Sequence, residues 1–249
     1  MQYQHIIYEK KDGLAWITLN RPERMNSIIT GMLREWRSAL LAAGEDEEVG
    51  VVVVTGAGRG FCTGLDLKAL QQDMAVESAV QELDRAGMDL IETIQSLPKA
   101  CIAMVNGPCF TGGLEILLTF DIIIASEEAV FGDTHTKFGI TPGWGMSQRL
   151  PRIVGLMKAK ELSFTARTFT AKEAESLGMV NRVVPADRLR EEVVSIAGMI
   201  LQNSLRTVAT VKDFYNRGMS TTLAEGLKIE KTNLTNVSEA KDRVGGFKK

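Results

Sequence analysis

The chain has 249 residues, 45% hydrophobic and 24% charged, which suits one large domain with a substantial core and no need for a disulfide or metal staple. A net charge of −2 gives no electrostatic footing for nucleic acid. Cys62, Cys101 and Cys109 follow no CxxC spacing, and His5 and His135 are too few for a multi-histidine metal site, so no metal is expected.

Ile6 to Tyr8 and Leu14 to Leu19 read as strands, and Lys11-Asp12-Gly13 between them carries an Asp-Gly hairpin signal. A helix is expected from about Ser27 to Ala43, with Met32, Leu33, Trp36, Leu40 and Leu41 on one face. Val51 to Val54 reads as a strand buried on both sides. Helices are expected from Asp66 to Gln72 and from Gln81 to Ser96. Cys101 to Val105 is a strand, Gly112 to Thr119 a buried helix, and Asp121 to Ala125 and Ala129 to Phe131 are strands. This alternation argues for an α/β core.

From Leu156 the pattern turns helical, over Leu156–Ala166, Ala171–Leu177, Ala186–Gln202, Ser204–Arg217 and Thr221–Arg243, with one more strand from Met179 to Val184. The expected organisation is therefore an α/β core over 1–190 and a helical region over 191–249. In the last helix, Leu223, Leu227 and Leu234 either face a partner subunit or dock on their own domain. No apolar run reaches the roughly 18 residues of a membrane span. The first ten residues lack a basic start followed by a long apolar run. The expectation is a cytoplasmic protein with no membrane partner.

Gly56-Ala57-Gly58-Arg59-Gly60 follows a strand but fails the G-x-G-x-x-G spacing of a dinucleotide fingerprint, because position 61 is Phe. Two other glycine-bearing turns hold more promise: Phe61-Cys62-Thr63-Gly64-Leu65-Asp66-Leu67 and Asn106-Gly107-Pro108-Cys109-Phe110-Thr111-Gly112-Gly113-Leu114-Glu115. Each runs into a helix, where backbone N–H groups lack partners and favour negative charge. Two such starts facing each other make a two-donor oxyanion hole.

These turns form part of an ordered series: Leu19-Asn20-Arg21-Pro22 with Asn26, the two glycine turns, and Gly139-Ile140, Pro142, Gly145 and Gln148-Arg149-Leu150. Ala171-Lys172-Glu173-Ala174-Glu175 with Gly178-Met179-Val180 continues it. The series resembles the crotonase superfamily, the enoyl-CoA hydratase/isomerase family, over nearly the whole chain. The resemblance implies an α/β fold with a spiral of repeated β-β-α units and a helical C-terminal region. It also implies acyl-CoA thioester substrates and assembly as a homotrimer or homohexamer. No permanently bound cofactor is implied, since coenzyme A arrives as part of the substrate.

Carried over by position, the backbone amides of Leu65 and Gly112 would hold the thioester oxygen, and Glu115, one helical turn after Gly112, would activate water. The position of the family's second catalytic glutamate, counted back from Gly139, holds His135 within Asp133-Thr134-His135. This Asp-Thr-His variant resembles that of a hydratase-like subgroup, followed by Pro142-Gly143-Trp144-Gly145. Histidine can serve as acid or base near neutral pH. His135 would protonate the α-carbon through water, share the nucleophilic water with Glu115, or only shape the pocket, and Asp133 would orient it or cap the turn.

By the same resemblance, Arg24 would meet coenzyme A phosphate, carbonyls at Thr63 and Leu65 the adenine amino group, and Asp66, Leu67 and Lys68 the nucleotide end. Met74, Leu83, Met88, Phe138 and Trp144 are candidate acyl-pocket residues. The expected activity is hydration of a 2-enoyl-CoA to a 3-hydroxyacyl-CoA, or its reverse. The alternatives are enoyl-CoA isomerisation, thioester hydrolysis, including through a Cys62/His135 pair, and acyl-CoA binding without catalysis.

Overall fold

The computed structural model describes residues 3–73, 76–232 and 237–245. Strands β1 (Ile6–Lys11) and β2 (Leu14–Leu19) form an antiparallel hairpin, with Ile6 opposite Leu19. Asp12 and Gly13 both sit at positive φ, the geometry that a two-residue Asp-Gly turn supplies. Beyond β2 the sheet continues in parallel through β3 (Val51–Gly56), β4 (Ala100–Val105), β6 (Ile122–Ser126) and β9 (Arg182–Val184). A second, smaller sheet joins β5 (Cys109–Phe110), β7 (Val130–Gly132) and β8 (Thr168–Thr170).

The central strands β3 and β4 are covered on both faces and read as nearly unbroken apolar runs. Ala15, Ile17, Leu19, Val52, Val54, Cys101, Ala103 and Val105 point into one core layer, with Met32, Leu33, Trp36 and Leu40 of α1 (Thr30–Glu45). Leu14, Trp16, Val51, Val53, Ile102 and Met104 point into the other, with Leu189, Val193 and Ala197 of α9 (Leu189–Leu201). The expected boundary near residue 190 falls inside α9.

Each turn of the chain adds a strand to the main sheet, a short stretch to the second layer, and then a helix. After β3 comes Cys62, then α2 (Leu67–Asp73) and α3 (Glu77–Ser96). After β4 come β5 and α4 (Gly112–Leu117), and after β6 come β7 and α5 (His135–Phe138). This is the expected β-β-α spiral. Cys62 pairs with Cys109, and Cys109 pairs with Phe131. Three or four residues beyond these aligned positions stand Leu65, Gly112 and His135, so the strand register itself stacks the three site segments.

Several boundaries differ from the sequence reading. Helix α1 begins at Thr30 because Ile28 is extended, paired with Leu65. The last strand is confined to Arg182–Val184, since Met179 and Val180 instead close the end of α8 (Ala171–Ser176) through amide bonds to Ala174 O. Strands β5 and β8 and helix α5 are too short to show a period. Helix α6 (Met146–Val154) has an internal Pro151 that masks it. Helices α7 (Leu156–Thr165) and α10 (Leu205–Gly218) lie close to the expected spans. In place of one final helix there are α11 (Leu223–Thr232) and α12 (Val237–Gly245), and Leu234 lies outside the described residues.

Buried Lys212 ties α10 to the core. Its Nζ lies 2.8 Å from Asp121 Oδ2 and donates to Ile94 O at 2.8 Å. Asp121 Oδ2 also accepts from the Cys101 amide at 2.7 Å.

Candidate active site

The Gly56–Gly60 turn is held by two asparagines. Asn26 Nδ2 donates to Ala57 O and Gly60 O at 2.9 and 2.8 Å. Asn106 Oδ1 accepts from Gly56 N at 3.1 Å, and Asn106 Nδ2 donates to Gly58 O. The turn is a strut that brings the two glycine-bearing loops together.

Ile28 N donates to Gly64 O, and Asp66 N donates to Ile28 O. In such a parallel bridge the N–H and C=O of the intervening Leu65 face away from Ile28, and among the described residues neither bonds to protein. Gly64 sits at φ 85°, and a methyl on it would lie 3.0 Å from Phe110 O and 3.4 Å from Gly112 N. Only glycine allows this approach, which sets the Leu65 and Gly112 segments side by side. Gly112 opens α4, so its N–H has no partner within the helix. Before it, Thr111 is held at φ 50°, ψ −116°. Such backbone strain costs about 1–3 kcal/mol and collects at functional sites. The Thr111 amide donates to Gly132 O, and its hydroxyl bonds that of Thr134.

Glu115, Asp133 and His135 are all buried, at 2%, 1% and 4% exposure. Glu115 Oε1 accepts from the backbone amides of Trp144 and Met146, each at 3.0 Å. Its Oε2 lies 3.3 Å from His135 Nε2. On the far side of the ring, His135 Nδ1 is 2.6 Å from Asp133 Oδ1. Asp133 Oδ2 accepts from Ser163 Oγ of α7, also at 2.6 Å. Burial alone would depress the imidazolium, but its bonds to Asp133 and Glu115 and their charges push it up to about 9. Burial alone would raise the Asp133 carboxyl, but the bonds from His135 and Ser163 hold it below the usual carboxylate range.

A cavity of about 710 Å³ joins these groups. Leu65, Gly112, Glu115, His135 and Trp144 line it. The Trp144 indole N–H donates to Asp84 of α3 at 3.0 Å. Arg149 of α6 donates to Trp144 O at 2.7 Å.

Of the residues singled out from sequence, Glu115, His135, Leu65 and Gly112 converge on this cavity. Thr63 and Leu67 also line it, as do Leu83, Phe138 and Trp144. Met88 does not, because Gly87, Leu90, Ile91 and Ile94 form the inward face of α3 and Met88 is exposed. Met74 lies outside the described residues. Arg24 and Lys68 are exposed and outside the cavity lining. The Asp66 carboxylate is committed locally, to Arg21 at 2.9 Å and to the Lys68 and Ala69 amides at the start of α2. Burial would raise this carboxyl, but Arg21 and the amides keep it below its ordinary value.

Cys62 is fully buried and outside the cavity lining, and burial pushes its thiol up to about 12, which removes it as a nucleophile at neutral pH. Among the described residues, no group of three or more His, Cys, Asp or Glu is arranged to hold a metal ion. The sequence reading missed the two amides that grip Glu115, and it missed Ser163. Backbone donors have no residue signature, and a lone serine in a helix thirty positions away carries no local signal.

The sequence model described as Enoyl-CoA hydratase/isomerase matches residues 9–249. The chain is 38% identical over 231 residues to the crotonyl-CoA hydratase of Syntrophomonas wolfei, covering 92% of this chain and 88% of that protein. It is 36% identical to the short-chain-enoyl-CoA hydratase of Clostridium acetobutylicum, with the same coverage. Among solved structures, the enoyl-CoA hydratase of Bacillus anthracis superimposes with a TM-score of 0.88 at 36% identity, covering 92% of this chain and 89% of that one. Fold, aligned site segments and these likenesses agree, and the chain belongs to the enoyl-CoA hydratase/isomerase family.

Proposed function

We propose that the protein hydrates a 2-enoyl-CoA thioester to a 3-hydroxyacyl-CoA, and catalyses the reverse dehydration. The observation that carries this reading is the buried Glu115 carboxylate, with one oxygen gripped by two amides and the other 3.3 Å from His135 Nε2, on a cavity also lined by Leu65 and Gly112. The Leu65 and Gly112 amides receive the thioester oxygen. Attack of water at the β-carbon pushes charge onto that oxygen, and the two donors stabilise the enolate more than the ground-state carbonyl. Losing one such donor costs about 2.7–4 kcal/mol of barrier.

Glu115 takes a proton from water as the C–O bond forms. His135 gives a proton to the α-carbon as the C=C bond is consumed. The water proton then crosses from Glu115 to His135, and the site is restored. Carbonyls at Thr63 and Leu65 face the adenine amino group, and Arg24 and Lys68 serve the phosphates as cations.

Met157 and Phe164 on α7, and Tyr215, Met219 and Leu223 on the terminal helices, are large apolar side chains left exposed. A second copy of the chain covers them in a homotrimer or in a hexamer of paired trimers. The three cysteines are free and buried, which suits the reducing cytoplasm.

Crotonyl-CoA tests the activity. The expected result is loss of the conjugated-thioester absorbance with uptake of labelled water oxygen at the β-carbon. Double-bond migration without oxygen uptake would replace hydration by isomerisation, release of free coenzyme A would replace it by thioester hydrolysis, and binding without turnover would remove catalysis altogether.

A further inference from the structure

We propose that Ser163 and Asp133 are positioning residues that fix the His135 ring, with Nδ1 held on Asp133 and Nε2 turned toward Glu115 and the cavity, so that His135 is the site's resident proton donor. This deepens the hydratase reading and rests on it for the fate of the proton.

The geometry is a single buried chain. Ser163 Oγ donates to Asp133 Oδ2 at 2.6 Å, Asp133 Oδ1 meets His135 Nδ1 at 2.6 Å, and His135 Nε2 meets Glu115 Oε2 at 3.3 Å. Asp133 has no donating hydrogen as a carboxylate, so Nδ1 must carry the proton. Nε2 is left facing Glu115 Oε2 at 3.3 Å, where it can carry the proton that the reaction uses. The carboxylates of Asp133 and Glu115 on either side of the imidazole raise its titration. Ser163 removes the remaining freedom, because a carboxylate bonded through both oxygens cannot turn away from the ring.

A second bond secures the frame: Thr136 Oγ1, one residue past His135, donates to the Ser163 carbonyl at 2.7 Å. Helix α7 thus grips the site segment twice. The charged groups facing His135 are Glu115 from α4 and Asp133 from the turn before α5. Arg149 of α6 acts on Glu115, and Lys137 of α5 is exposed. The arrangement explains how a histidine can stand in the place where the family resemblance expects a carboxylic acid. A neutral imidazole would offer Glu115 a weaker acid-base partner, whereas an imidazolium held by Asp133 is a ready donor.

Nitrogen NMR of the imidazoles tests this without reference to turnover, because His5 is the only other histidine and serves as an internal control for folding. The intact protein should keep the His135 imidazolium signature up to about 9. Asp133→Asn should lower the midpoint by about 1–3 pH units, the span that removal of one adjacent charge produces. Ser163→Ala should lower it by less than Asp133→Asn does, because Ser163 acts on the ring only through the orientation of Asp133, and Ser163→Thr should restore it. The alkaline limb of kcat for crotonyl-CoA hydration should move down with each midpoint. Unmoved His135 midpoints in Ser163→Ala and Asp133→Asn, or a drop in kcat with the alkaline limb in place, would overturn the proposal. An intact protein that fails to hydrate enoyl-CoA thioesters, while its His135 midpoint still follows Ser163 and Asp133, would sink the hydratase reading and leave the positioning relay standing.

Discussion

Gly87 makes the room that Trp144 occupies: a methyl at position 87 would lie 2.2 Å from Trp144 Cε2 and 2.6 Å from its Nε1. The indole sits there with its N–H on Asp84, while its own backbone amide holds Glu115. Gly87→Ala must therefore push the ring aside, at the roughly 1–3 kcal/mol typical of overpacking. The expected outcome is a lower urea midpoint, altered tryptophan fluorescence and a kcat for enoyl-CoA hydration reduced by about tenfold or more, the factor equivalent to 1.36 kcal/mol. Normal kcat in a variant with displaced Trp144 would separate the ring from the grip on Glu115.

Glu115→Gln keeps the shape of the side chain and removes its capacity to take a proton from water. General base catalysis is worth about 10²–10⁴-fold, so kcat should fall by that much. Binding of a saturated acyl-CoA, followed by calorimetry, should stay within about threefold, because the proposed amides of Leu65 and Gly112 are untouched, a difference well under 1.4 kcal/mol.

The His135 imidazolium is held up to about 9, above its ordinary value of 6.5. Its contribution to folding is therefore fully present below about 6.5 and is lost as pH rises through about 9. Asp133 runs the other way: held below the usual carboxylate range, it contributes above that range and loses the contribution on acidification. Thermal unfolding scans should show a Tm that falls through the alkaline window. In His135→Gln that alkaline fall should be smaller, the remainder coming from the buried thiols whose titration burial pushes up.

Buried Lys212 pairs with Asp121, whose carboxylate is partly solvated, and the pair joins α10 to the start of β4 through Cys101 N. Lys212→Met leaves Asp121 with a charge and no cation, and because solvent reaches Asp121 the loss should fall below the roughly 3–5 kcal/mol of a fully buried pair. Urea unfolding should show the lower midpoint. Lys212→Met combined with Asp121→Asn should recover a large part of it, because the stranded charge is gone.

Much of the site was legible in the sequence because it is built from turns. Glycine at 64 and 112 and the lone acid at 115 stand out against apolar surroundings, and the β-branched run Val51–Val54 announces a strand covered on both faces. The fold then supplies what no local pattern encodes. The pairing of Cys62, Cys109 and Phe131 in one register is a long-range fact. So is the meeting of Ser163 with Asp133, which depends on α7 returning to the spiral. Helix α6 was hidden by Pro151, and Ile28 was drawn out of α1 by a bridge to Leu65, where tertiary pairing outweighs helical propensity.

Both amides on Glu115 Oε1 come from one short stretch, Trp144 to Met146, that leads into α6. The carboxylate is thus oriented when the chain folds and needs no rearrangement when a thioester arrives. The same dependence exposes it to heat: a brief local opening of that stretch frees the acid to swing, while the sheet behind it stays intact. Warming should silence turnover several degrees before the molecule as a whole gives way.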